Sequence, residues 1–135
     1  MEDAGEFMVG RELKFSLVRG QFAICQLPAG TSIPEWATGG ELFSISGTAE
    51  ELSIVCEAEL VPVGVRAQGP FVCLKLEGPF PLTQTGVLSA FVQPLSDAEI
   101  PIFAVSTYDT DYVLIPQEFV DRATGVLQTA GHPSV

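Results

Sequence analysis

The sequence contains a single histidine, His132, and only six Lys and Arg against seventeen Asp and Glu. That imidazole falls in the stretch from Gly131 that reads as a frayed tail, so a His-dependent nucleophilic triad would have to rely on a frayed residue. No GxSxG, no phosphate-binding loop and no GxGxxG after a strand is present. The net charge of −11, with Arg11, Lys14, Arg19, Arg66, Lys75 and Arg122 scattered, excludes the clustered cations that a nucleic-acid backbone requires. No apolar run approaches the roughly 20 residues of a membrane span. The acidic start, MEDAGEFMVGRE, does not read as a signal or transit peptide. The three cysteines, Cys25, Cys56 and Cys73, lack metal-ligand spacing and sit inside apolar runs. They read as small buried hydrophobes of a reducing compartment. The expectation is a soluble cytoplasmic protein that binds neither nucleic acid nor membrane.

What is present suits a core. Hydrophobic residues make up 47% of the 135 and charged residues 17%, which argues against disorder. Residues 1–10 read as a flexible tail. Leu13, Phe15 and Leu17 alternate with polar residues at strand spacing. Further strands are expected over 22–27, 42–46 and 52–56. The Pro- and Gly-rich stretch 28–40 has room for one helical turn, and 62–70 reads as a linker. A strand over 71–76 follows. From Thr85, a candidate N-cap, the apolar residues Val87, Leu88, Phe91, Val92, Leu95 and Ala98 trace one helix face. Pro94 lies inside that helix, removes the bond to the Ala90 carbonyl and predicts a kink. Pro116 suits the first position of a last helix, with Phe119, Val120, Ala123, Val126 and Leu127 on its apolar face. The end from Gly131 reads as a frayed tail.

The halves resemble each other. Without a gap, FSISGTAEELSIVC (43–56) sets Phe43 on Phe103, Ser46 on Ser106 and Glu51 on Asp111 of FAVSTYDTDYVLIP (103–116). FAICQLP likewise resembles FVCLKLEGP. The offset is about 60 residues at the hairpin and about 49 at the leading strand, as if the first half had lost about three helical turns.

The segment IPIFAVSTYDTDYVLI (100–115) is the richest in chemistry. Two β-forming runs flank Ser106-Thr107-Tyr108-Asp109-Thr110-Asp111, which reads as a hairpin with a polar tip. Asp109-Thr110-Asp111 lacks the Gly of an aspartic-protease motif, and no EF-hand pattern surrounds it; no metal or cofactor is expected. The tip's hydroxyl and carboxylates can fix an ammonium. The segment 82–87 opens the helix, and its free N–H groups suit a carboxylate. A free amino acid fits between the two. The plainer reading is that Asp109 and Asp111 only satisfy turn N–H groups.

These motifs resemble the ACT domain. The LKLEGP strand, the TGVL helix start, the PL near the helix end and the hairpin carry the likeness over about 71–127. It is nearest the tandem-ACT subgroup of small bacterial proteins and CASTOR-type arginine sensors. The resemblance implies an α+β, ferredoxin-like fold of two tandem βαββαβ units, 11–65 and 66–130, the first with a degenerate first helix, and a tail over 131–135. It implies an amino-acid-binding allosteric sensor and no enzyme, a homodimer acting on a separate protein partner. Its ligand contacts carry over to Gly86, Val87, Thr107, Tyr108 and Asp111. Asp109 is added as a weaker member. Where the family often has Ala-Gly-Ile after the helix, this chain has Ala98-Glu99-Ile100, a left-handed position that would cost about 1 kcal/mol for Glu99. The alternatives are a structural or partner-binding module without a ligand and an unrecognised enzyme.

Overall fold

The computed structural model describes residues 12–135; the tail expected over 1–10 lies outside them. The strands are β1 (Phe15–Leu17), β2 (Phe22–Pro28), β3 (Ser44–Gly47), β4 (Glu51–Glu57), β5 (Arg66–Leu76), β6 (Phe103–Ser106) and β7 (Asp111–Pro116). The helices are α1 (Val87–Asp97) and α2 (Val120–Thr129), with short 3-10 turns at Glu35–Thr38, Ala58–Leu60 and Gln117–Phe119. The architecture is α+β with antiparallel strand pairs. The described chain falls into two compact units, Val18–Cys73 and a second made of Leu74–Val135 with the chain up to Leu17. By its internal contacts the chain thus divides within β5.

In the unit 18–73 the strand order is β3-β4-β2-β5. Alternation along β2 and β4 sends Ala23, Cys25, Leu52, Ile54 and Cys56 to one side, where they form a core with Ala37 of the first 3-10 turn. Trp36, Leu27 and Val61 pack against that core. A single 3-10 turn thus stands where the other unit has a helix. Residues 66–70, expected as a linker, belong to β5. Arg66, Ala67 and Gln68 pair with Gln26, Cys25 and Ile24, and a register shift follows before Phe22 meets Phe71. The shift spans Gly69-Pro70, which suits a proline that has no N–H for the ladder. Gly69 has φ 150, and a Cβ there would come within 2.9 Å of the Phe22 carbonyl oxygen.

In the other unit the order is β1-β5-β7-β6, with α1 and α2 packed on each other. The helix α1 buries Val87, Phe91 and Leu95, spaced by four as one face requires. Phe91 meets Phe15 of β1 edge-on, with ring centroids 5.6 Å apart. The N-cap of α1 is Gly86, at φ 80, in place of the expected Thr85, and no side chain caps it. The helix continues through Pro94 to Asp97.

Both helices end in the same motif. Glu99 N–H donates to Ser96 and Ile100 N–H to Leu95; Gly131 N–H donates to Gln128 and His132 N–H to Leu127. Each is a Schellman cap, which needs a left-handed residue after the helix. Gly131 supplies it at φ 95, and Glu99 supplies it at φ 59.

Residues 131–135, expected as a frayed tail, are tied down. Phe15 N–H donates to Pro133 and Val135 N–H donates to Phe15, making a parallel bridge between Phe15 and Ser134. His132 is 4% exposed. Its Nδ1 accepts the Leu13 N–H at 3.1 Å, and its Nε2 lies 3.3 Å from the Ala90 carbonyl oxygen. Backbone pairing and a buried ring, neither visible in so short a polar stretch, order the segment.

Candidate functional site

The β6–β7 hairpin sets Ser106 directly opposite Asp111. The Ser106 hydroxyl donates to Asp111 Oδ1, so the carboxylate is held at the strand end and keeps acceptor capacity for another donor. The turn between them closes on Thr107. Its N–H and its hydroxyl both donate to the Thr110 carbonyl, at 2.8 and 3.1 Å, and its hydroxyl accepts from Thr110 N–H at 3.4 Å. Thr110 turns inward, 8% exposed, and its hydroxyl donates to the Leu76 carbonyl at 2.7 Å. That bond anchors the tip to the end of β5.

A second tie joins the tip to the segment ahead of α1. Phe80 N–H donates to the Asp109 carbonyl at 2.8 Å. Gly78 permits the approach, because a Cβ there would lie 3.0 Å from the same carbonyl oxygen. The chain then turns at Pro81–Gln84 and enters α1 through the left-handed Gly86. Ala90 N–H donates to the Gly86 carbonyl. The N–H groups of Val87, Leu88 and Ser89 lie in the first turn, where no helical carbonyl can take them, at the positive end of the helix dipole.

Between the hairpin tip and this helix start lies a cavity of about 480 Å³. All six residues expected from sequence, Gly86, Val87, Thr107, Tyr108, Asp109 and Asp111, line it. The lining has two carboxylates and no Lys, Arg or His. The hydroxyls of Ser89, Ser106 and Thr107 add donors and acceptors. Tyr108 is 80% exposed and Leu82 69%, so both also present apolar surface to solvent. The arrangement offers acceptors to a cationic group on one side and backbone donors to an anionic group on the other, which is what a zwitterion requires. Among the described residues, no three His, Cys, Asp or Glu come together as a metal site.

Sequence reasoning missed Ser106, Thr110, Phe80 and Gly78. Ser106 was detectable as the residue that a four-residue loop places opposite Asp111. Thr110 was not, since its partner is 34 residues away. The thiols take no part in the lining. Burial pushes Cys73 up to about 12 and Cys56 up to about 11, the latter helped by the neighbouring Cys25. Burial also raises Cys25, offset in part by a hydrogen bond with Cys56.

Comparison with known proteins follows the same lines. A model of the ACT domain matches residues 66–129, and a model of another family's N-terminal domain matches residues 20–64. The crystal structure of protein Atu0741 from Agrobacterium tumefaciens is 36% identical, with a TM-score of 0.88 over 93% of this chain and 94% of that one. A Vibrio cholerae protein of unknown function, VC0802, is 18% identical, with a TM-score of 0.74 over 93% and 94%. The regulatory subunit of aspartate kinase from Thermus flavus shares the fold at 12% identity, with a TM-score of 0.59 over 89% and 97%. None of the curated proteins matches the chain in sequence. No described helix is long and apolar enough to cross a membrane.

Proposed function

The chain is an ACT-domain protein of the family that includes Atu0741, and on that premise we propose that it is a small amino-acid-binding regulatory protein. ACT domains generally bind small amino-acid ligands and oligomerise. One observation carries the reading: two segments separated in sequence, 86–87 and 107–111, line one cavity whose charged side chains are carboxylates. The ligand's ammonium pairs with Asp111, which Ser106 orients, and its carboxylate faces the first turn of α1. Gly86 lets the ligand's backbone approach without a Cβ in the way.

The finer architecture is part of the same proposal. The chain carries two tandem ACT-like units, as in the subgroup of the arginine sensors, and the unit within 18–73 has lost its first helix. The equivalent turns at Thr48 and Thr107 support this. The protein acts in the cytoplasm as a homodimer, is not an enzyme, and regulates a separate protein. Ligand binding favours one arrangement of units, and the partner reads the shift in population.

The test is thermal melting with each of the twenty amino acids. A ligand at a hundred times its dissociation constant should add about 2.7 kcal/mol. If none raises the melting temperature, the reading fails.

A further inference from the structure

Pro94 has no N–H to give to the Ala90 carbonyl, yet α1 runs through it unbroken. The vacant place is taken from outside the helix. His132 Nε2 lies 3.3 Å from that carbonyl oxygen, while Nδ1 accepts the Leu13 N–H. Because Nδ1 is an acceptor, the ring proton sits on Nε2 and points at Ala90. The ring also packs on Phe91, with centroids 5.6 Å apart. Gly131 and the bridge of Ser134 with Phe15 hold the His132 segment in place. Ala90 closes the first helical turn through its own N–H bond to Gly86, and that turn, Gly86 to Ser89, is one wall of the cavity.

We propose that His132 is a positioning residue of the cavity, replacing the amide that Pro94 removes and so fixing the first turn of α1. This rests on the reading of the cavity as a ligand site. It assigns residues 131–135 to the site's support, although none of them lines it. It also makes Pro94 and His132 a matched pair, since a proline at 94 would otherwise leave a partly buried carbonyl without a donor.

The test is native-state hydrogen exchange on the full chain, with His132→Asn and with His132→Asn in a Pro94→Ala background. Asn can still accept from Leu13 but does not reach Ala90. In His132→Asn, the amides whose bonds close the first turn of α1, beginning with Ala90 N–H to Gly86, should exchange roughly tenfold faster, with those of β5 and β7 unchanged. Pro94→Ala supplies an amide to Ala90 and should restore the slow exchange. Uniform acceleration across the protein, or no rescue, overturns the inference. Should His132→Asn not fold, long-range proton–nitrogen spectra of the unaltered protein decide: a proton on Nδ1 instead of Nε2 overturns it. The exchange experiment contains no ligand, so its failure removes only the role of His132. Failure of all twenty amino acids to stabilise the unaltered protein removes only the ligand reading.

Discussion

The hairpins at 47–52 and 106–111 turn alike and end in opposite chemistry. In both, a Thr N–H and hydroxyl donate to the carbonyl three residues on, and the hydroxyl accepts that residue's N–H: Thr48 with Glu51, Thr107 with Thr110. The strand pairs that close them are Gly47 with Leu52 and Ser106 with Asp111. The structural pairing is therefore one residue out of step with the gap-free sequence match, which set Glu51 on Asp111. The true counterpart of Asp111 is Leu52, 7% exposed and packed with Ala37 in an apolar core. Where one unit keeps a carboxylate beside a cavity and a helix start, the other keeps a leucine against a 3-10 turn. The same turn is present in both, so the two hairpins differ in side chain and in the neighbouring helix and not in the backbone of the turn.

The largest break in this comparison is to exchange the two residues. Leu52→Asp places a carboxylate in a core with no partner and should lose at least about 3 kcal/mol in urea unfolding. Asp111→Leu, at a half-buried strand end, should stay within about 1 kcal/mol of the original. Equal losses would mean that the two positions are not environments of different kind. Next in size is the shared turn. Thr48→Val and Thr107→Val remove the side-chain bonds to Glu51 and to Thr110, Thr48→Val also the one from Glu50 N–H, and should each cost about 1 kcal/mol; a several-fold difference would show that the turns only look alike.

The two helix ends give a further contrast. Glu99→Gly should raise stability by about 1 kcal/mol, because Glu99 holds a left-handed conformation that Gly131 adopts freely. A fall in melting temperature would mean that the Glu99 side chain has a role of its own. The remaining effect concerns the thiols and shows only at high pH. Cys56 and Cys73 titrate higher when folded, at about 11 and about 12, than the usual thiol. Their contribution to stability is complete below the unfolded pKa and is lost as pH rises through the folded values. The urea midpoint of the protein should therefore fall from pH 9 upward, and the thiols should resist alkylation at pH 8 until the chain is unfolded.

Much of the candidate site's framework was legible because its parts announce themselves locally. The hairpin shows as β-branched runs around a polar tip, and α1 as Val87, Phe91 and Leu95 spaced by four. The rest depended on distant partners. Residues 66–70 form strand with polar side chains and a Gly-Pro, since that strand is held by backbone pairing to β2 and needs little apolar character. Thr110 looks like any turn threonine until the Leu76 carbonyl is beside it. The vacancy at Ala90 could be read from Pro94, but the donor that fills it lies 42 residues on, between a Gly and a Pro that suggest only a loose end. The slip in the repeat has a similar cause: side-chain matching favoured Ser46 on Ser106, whereas the hydrogen bonds of the turn decide the alignment.

The central claim is that Asp111 and its cavity hold an amino acid while Leu52, its counterpart, holds a core. Thermal melting of the unaltered protein and of Asp111→Leu, each with the twenty amino acids in turn, tests it most directly. The account predicts that at least one amino acid raises the melting temperature of the unaltered protein and that the rise disappears in Asp111→Leu. A rise of the same size in both proteins would contradict it.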